Sequence, residues 1–421
     1  MAKAMGRAWA AAAGLAMVVG VSGVQAQSSL CPAPTKGLFS LGFAVEVDAP
    51  NIYSCDTASF KTLDSLYNGL KTYPLSGVSS YYSGTEVAYL DIYFNGLPVL
   101  IQYPNFGATG QGALLVFEIP ALGVSKTFLG ADRDESQRLL EDYLKSAGLF
   151  GRIMKYQAAH SPNSPISGPG GLIPTAVAAD FADVFDTLPS SSGGDPQNNF
   201  GIGLNFSNLR VGGLQTRVTT LPLSYTIRNN IDPRRQLAFS MPITLSDTEG
   251  AKSYHINPGV SYRVPMTDAW SVSAAARVGI VGSMDIGSLA GVVSGSVAST
   301  YAIRGSGFDV AIGNMVGYYA TTKVSSGDYS ANPEIHNVVL RNGVMLSQPV
   351  RIGGMPLSAE YSVIDTRYLG TEIYVDNTQE IGVTVGTNRS AFSSRSFLRG
   401  GLSYLRGRDT HGLSVNIGYW F

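Results

Sequence analysis

Charge is scarce in this chain. Lysine, arginine, aspartate and glutamate together make up 14% of its 421 residues, where a water-soluble globule carries about a quarter. The 29 basic and 30 acidic residues nearly cancel and lie scattered, so no basic face is offered to nucleic acid. Histidines number four and cysteines two, too few and too dispersed for a metal-ligand set. No G-x-S-x-G elbow occurs, and the glycine-rich "GATGQG" at 107–112 lacks the lysine and hydroxyl residue of a phosphate-binding loop. It reads as a hairpin loop. The carboxylates Asp132, Asp134, Glu135, Glu141 and Asp142 read as a solvated helix start rather than a catalytic pair. Neither an enzyme nor a cofactor is expected. Beyond residue 26 no window holds 18 continuous apolar residues, so a membrane-spanning helix is excluded.

What is present begins with an export signal. Lys3 and Arg7 precede an apolar stretch, and Val24, Gln25 and Ala26 supply a cleavage site, so residues 1–26 are expected to be a signal peptide. Cys31 and Cys55 follow it closely, and an oxidising compartment favours a disulfide between them.

From residue 200 onward the hydrophobic pattern has a period of two. Leu221, Leu223, Tyr225 and Ile227 alternate with Thr220, Pro222, Ser224, Thr226 and Arg228, and the same rhythm returns to the last residue. About twelve such segments are expected, near 200–210, 214–229, 235–247, 252–265, 269–282, 288–304, 307–321, 334–348, 356–368, 373–387, 395–406 and 411–421. They are longer than the five or six residues usual for a soluble sandwich and match the ~9 to 11 that cross a bilayer obliquely. The expected fold is therefore mainly β: an antiparallel transmembrane barrel over 200–421, in contact with outer-membrane lipid. Asn342-Gly343 is a hairpin signal, but splitting that segment leaves pieces too short to span, so it is kept whole. Short turns near 230, 266 and 305 and a longer connection over 324–333 suggest that both barrel ends face the periplasm. The final alternating strand places Leu413, Val415, Ile417, Tyr419 and Phe421 on one side, with Tyr419, Trp420 and Phe421 at the membrane interface.

Residues 27–160 read as a small α+β unit able to fold separately. "VAYLDIYFNGLPVLIQY" (87–103) is a hairpin turning at Asn95-Gly96, "ALLVFEIP" and "VSKTFLG" suggest a second hairpin, and a helix opens at 132–134. Residues 161–199 are rich in Pro, Gly, Ser and Asn and read as a linker holding one short helix. On that helix Val177, Phe181, Val184, Phe185 and Leu188 form an apolar stripe, with Asp180, Asp183 and Asp186 on the other side.

If apolar side chains face lipid, the opposite phase faces the lumen. It then contains Arg228, Arg263, Arg277 and Arg399 together with Asp309, Glu360 and Glu380. One outcome is mutual neutralisation within a narrow barrel. The other is that the acidic linker helix seats among the arginines and plugs the pore. The order of signal peptide, N-terminal region, short helix and a barrel of about twelve strands ending in Phe421 resembles a type V autotransporter with a small passenger. The resemblance implies a barrel that anchors, and translocates, its own N-terminal unit. It also implies recognition of the terminal strand by the barrel-assembly machinery. The passenger lacks the repeated β-helix pattern of the family. A channel or porin with a periplasmic or plugging N-terminal domain is the alternative expectation, in which the lumen arginines would favour anionic solutes.

Overall fold

The computed structural model describes residues 30–47, 51–72, 86–104, 112–146, 148–185, 198–326, 329–387 and 397–420. The expected signal peptide, most of the 107–112 loop, Asp186, Leu188 and Phe421 lie outside them, as does the side chain of Asp183.

The N-terminal unit is one antiparallel sheet with helices packed on it. Its elements are β1 (Phe39–Glu46), β2 (Tyr53–Phe60), α1 (Leu63–Thr72), β3 (Ala88–Phe94), β4 (Leu97–Tyr103), β5 (Ala113–Ile119), β6 (Val124–Gly130), α2 (Arg133–Ser146) and α3 (Leu149–His160). The sheet order is β2-β1-β3-β4-β5-β6. Both expected hairpins are present, and Asn95 (φ 47°) and Gly96 (φ 92°) supply the left-handed pair that a two-residue turn between β3 and β4 requires. The strands β1 and β2 lie outside the expected elements. β1 is buried along nearly its whole length, so it shows no alternation to read. Leu140, Leu144, Ile153 and Met154 of the helices join Leu90, Ile101, Leu115 and Phe117 of the sheet in one core.

The Cys31–Cys55 disulfide ties the segment ahead of β1 to β2 across 24 residues. That segment runs so close over β1 that a side chain at Gly42 would collide with the Cys31 carbonyl. Closing a loop of this length stabilises by about 3 kcal/mol through the unfolded chain. The paired substitution Cys31→Ala/Cys55→Ala is therefore expected to lower the unfolding free energy of the N-terminal unit by about that much, read by denaturant titration. An unchanged midpoint would show that packing alone holds the segment.

After α4 (Leu172–Phe185) the chain becomes strand throughout: β7 (Asn199–Val211), β8 (Leu214–Arg228), β9 (Gln236–Thr248), β10 (Ala251–Ile256), β11 (Gly259–Pro265), β12 (Trp270–Ser283), β13 (Ser288–Arg304), β14 (Asp309–Thr322), β15 (Val324–Ser326), β16 (Tyr329–Ala331), β17 (His336–Ile352), β18 (Met355–Gly370), β19 (Asn377–Thr387), β20 (Phe397–Gly407) and β21 (Thr410–Trp420). β10 and β11 are two halves of one strand, interrupted at Asn257-Pro258, where proline has no N–H for the ladder. β15 and β16 form a separate small hairpin. The remaining ladder closes on itself as a twelve-stranded antiparallel barrel, β21 pairing with β7 from Thr410↔Val211 to Trp420↔Gly201. Closure leaves no sheet edge to lipid. β17 is continuous through Asn342-Gly343: the turn signal is overridden by pairing with β14 and β18 on both sides.

Three expectations need correction. The stretch 373–376 is not strand, because Ile373 joins the core that contains the N-terminal unit, Val375 packs on Leu209, Val211 and Val218 of the wall, and Tyr374 N–H bonds to the Ala158 carbonyl at 2.8 Å. Trp420 does not face the membrane interface; its ring lies inward, over Gly201 and Gly418. Nor do loop lengths distinguish the barrel ends. Opposite the termini, the turns at 212–213, 249–250 and 408–409 are as short as any, since the N-terminal unit itself covers that end.

Candidate functional site

The outward phase of the barrel is apolar and exposed: Phe206, Val383, Leu413, Val415 and Ile417 are 50, 43, 61, 43 and 57% accessible. Near the end that carries the termini, Phe200, Tyr225, Trp270, Tyr301 and Tyr419 add exposed aromatics, as expected where a wall meets a membrane interface. The inward phase is filled from the opposite end. Residues 161–171, expected as an open linker, are almost wholly buried. Their Pro, Gly and Ser residues make tight turns, closed by Gly168 N–H to the Ser164 carbonyl and by Leu172 N–H to the Pro165 carbonyl. Ser161 Oγ reaches Asn95 at 2.8 Å, and Ser246 Oγ of β9 donates to the Gly170 carbonyl at 3.0 Å. The segment is a stopper between domain and wall.

From this stopper α4 descends into the lumen. Ala176, Val177, Asp180, Phe181 and Val184 are all buried, a set at i, i+1, i+4, i+5 and i+8 that defines one helix face. Asp180 therefore sits within the packed stripe rather than opposite it, contrary to the expectation from charge. The spacing explains this, because 177, 180, 181 and 184 are neighbours on a helix surface. Its carboxylate meets the wall on three adjacent strands. Arg277 of β12 donates Nε–H to Oδ1, while Ser296 Oγ of β13 and Tyr319 O–H of β14 donate to Oδ2 at 3.0 and 2.7 Å. The Arg277 and Asp180 side chains are 3% and 0% exposed.

Further contacts fix the helix. Thr300 Oγ1 donates to the Val184 carbonyl at 3.1 Å, and the Arg341 guanidinium lies over the Phe181 ring at 5.1 Å while donating to Thr366 at 2.8 Å. Phe181 and Phe185 pack edge to face at 5.4 Å. Gly313 and Gly343 of the wall let the helix approach, since a Cβ at either would collide with Val184 or Phe185.

The other lumen charges pair along the wall. Glu380 accepts from Arg341 at 3.2 Å, and Arg399 is joined to Glu360. Arg263, 7% exposed, donates to Gln236 at 3.2 Å. Arg228 and Asp309 lie on the inward phase near the end carrying the termini. Only Arg277 of the seven expected lumen charges meets the helix in these bonds. Ser296, Tyr319 and Arg341 escape sequence reasoning. Arg341 lies on the inward phase of its strand, opposite in phase to Leu340 and Val344, a signal the alternation carries; the other two carry no charge to draw notice. The helix is off-centre, so a cleft of about 330 Å³ remains on the far side, bounded by Ala178 and Ala182 and by Ser207, Thr220, Ser414 and Glu380. Among the described residues no group of three His, Cys, Asp or Glu side chains converges.

The sequence matches no family model and no curated protein. Solved structures do resemble the barrel. The β-domain of a Bordetella autotransporter, Brka, aligns at 12% identity and a TM-score of 0.43, covering 54% of this chain and 99% of that one. The translocator domain of the autotransporter NalP from Neisseria meningitidis aligns at 14% identity and 0.41, over 59% and 97%. An outer-membrane channel from Pseudomonas putida F1 aligns at 11% identity and 0.35, over 53% and 94%. The chain carries a closed twelve-stranded antiparallel barrel. With its apolar outer wall and closed ladder, the barrel belongs in lipid, and the N-terminal unit rests on one of its mouths. Leu63 N–H reaches the Asp285 carbonyl at 2.7 Å, and Lys155 faces Glu334 at 4.0 Å. Gly151 of α3 lies flat against the Asn332 backbone, where a side chain would collide.

Proposed function

We propose that this protein works as a small autotransporter: its barrel anchors the N-terminal α+β unit on the outer face of the membrane, and α4 seals the pore through which that unit passed. Chain direction is the observation that carries this reading. Among the described residues, the N-terminal unit meets the barrel at the mouth formed by the turns at 284–287, 323–335 and 371–376, and α4 runs from there toward Thr300 near the mouth where β7 begins. A closed barrel has no side opening, and α4 lies inside it, between the two mouths. With the terminal strand presented to assembly machinery in the periplasm, the covered mouth faces outward.

The experiment is labelling of intact cells with antibody against an epitope inserted at Gly123. This turn residue has open space around it. Labelling of whole cells, with a periplasmic control unlabelled, is expected. Labelling that requires opening the outer membrane sinks the proposal. A plugged channel is the second reading, favoured by the cleft beside α4. It needs no translocation of the N-terminal unit, and the barrel would conduct once the helix left.

A further inference from the structure

Above the apolar belt, on the outward phase, the wall changes character across three neighbouring strands. Arg210 of β7 stands opposite His411 of β21, and His411 stands opposite Arg406 of β20. Residues in register lie about 5 Å apart at Cα, so two guanidinium groups stand on either side of one imidazole with no carboxylate in the row. The row is flanked by amides rather than carboxylates: Gln379 stands opposite Arg406 at one end and Gln215 opposite Arg210 at the other. Among the described residues, Arg210, Arg406 and His411 make no side-chain hydrogen bond or ion pair.

The nearby acids are committed elsewhere. Asp365 accepts from Arg367 and Gln379, each at 3.0 Å, and Glu249 accepts from the Gln215 N–H at 2.9 Å. Asp409 and Arg408 face Tyr374, beneath the N-terminal unit: burial and then Asp409 raise the pKa of that phenol, and Arg408 opposes them. Directly below the row the same strands show exposed Tyr404 and Leu413, and on β7 exposed Phe206 follows beyond Asn208. The row thus sits at headgroup depth beside acyl-chain surface.

We propose that Arg210, Arg406 and His411 form a binding site for a phosphate borne on a lipid headgroup, whose acyl chains lie on the apolar wall beneath. Guanidinium groups suit phosphate oxygens because they offer paired, fixed donors. Arg210 and Arg406 flank His411 on the two neighbouring strands, about 10 Å apart at Cα, so that two long side chains can converge on one anion above the imidazole. The site depends on the outer-membrane reading alone; it is indifferent to whether the N-terminal unit was translocated.

The test is native mass spectrometry of the detergent-solubilised full chain. Three probes are compared: a phosphorylated, acylated glucosamine disaccharide, the same lipid with its phosphates removed, and inorganic phosphate as competitor. The phosphorylated lipid is expected to bind at least about tenfold more tightly than its dephosphorylated form, as charge-assisted bonds of this kind allow. Arg210→Gln/Arg406→Gln should abolish that preference, and Arg210→Lys/Arg406→Lys should restore part of it. Equal binding of the two lipids, or a preference that survives the glutamine pair, overturns the proposal. Displacement by inorganic phosphate as readily as by lipid also overturns it, by identifying a free-anion site instead.

Discussion

In planar bilayers, Asp180→Ala is expected to turn a nearly silent barrel into a conducting one. The wild-type carboxylate neutralises Arg277 in a place where neither side chain reaches solvent. Its removal leaves a guanidinium buried without its counter-ion, which costs about 3 to 5 kcal/mol. The same change orphans the hydroxyls of Ser296 and Tyr319. Since about 1.4 kcal/mol is a factor of ten, the equilibrium constant for seating α4 should fall by about two to three and a half orders of magnitude. Asp180→Asn keeps an acceptor for Ser296 and Tyr319 and should open the pore less. The pair Asp180→Leu/Arg277→Met removes both charges together and should remain closed, because apolar replacement of a buried pair is often neutral. Equal conductance of wild type and Asp180→Ala would refute the clamp.

Gly313→Leu is expected to displace the helix by a different route. A Cβ at this position would collide with Val184 Cγ1, so either the helix or the wall must move. The wall is held on both sides, Gly313 pairing with Thr300 of β13 and Gly343 of β17. The helix has the empty cleft behind it. Overpacking of a fitted core costs about 1 to 3 kcal/mol, and hydrogen exchange should show α4 amides losing protection while the barrel strands keep theirs. Gly295→Leu is the control, since its Cβ points into open space with one atom at 3.9 Å. If α4 exchanges alike in both variants, close approach at Gly313 does not hold it.

Much of the barrel was legible because a wall between lipid and lumen enforces alternation at every strand. Leu413, Val415, Ile417 and Tyr419 announce their face by period alone, and the charges Arg228, Arg263, Arg277, Arg399, Asp309, Glu360 and Glu380 fall on the other phase by the same rule. The rule failed wherever a segment met protein on both sides. β1 is buried on both faces and gave no rhythm. Residues 161–171 have the composition of a linker, yet their small and ring-closed side chains are what a stopper between two packed bodies needs.

What the sequence determined by itself was a closed strand wall, its inside and outside, and a short helix ahead of it, because those features repeat locally and are set by solvent on one side and lipid on the other. The tertiary structure alone decided which of seven inward charges meets the helix, which wall hydroxyls join it at Asp180, and which mouth the N-terminal unit covers. Those depend on the rotation and depth of one helix within the wall, a choice made by Gly313, Ser296 and Tyr319 through contacts more than a hundred residues distant in the chain.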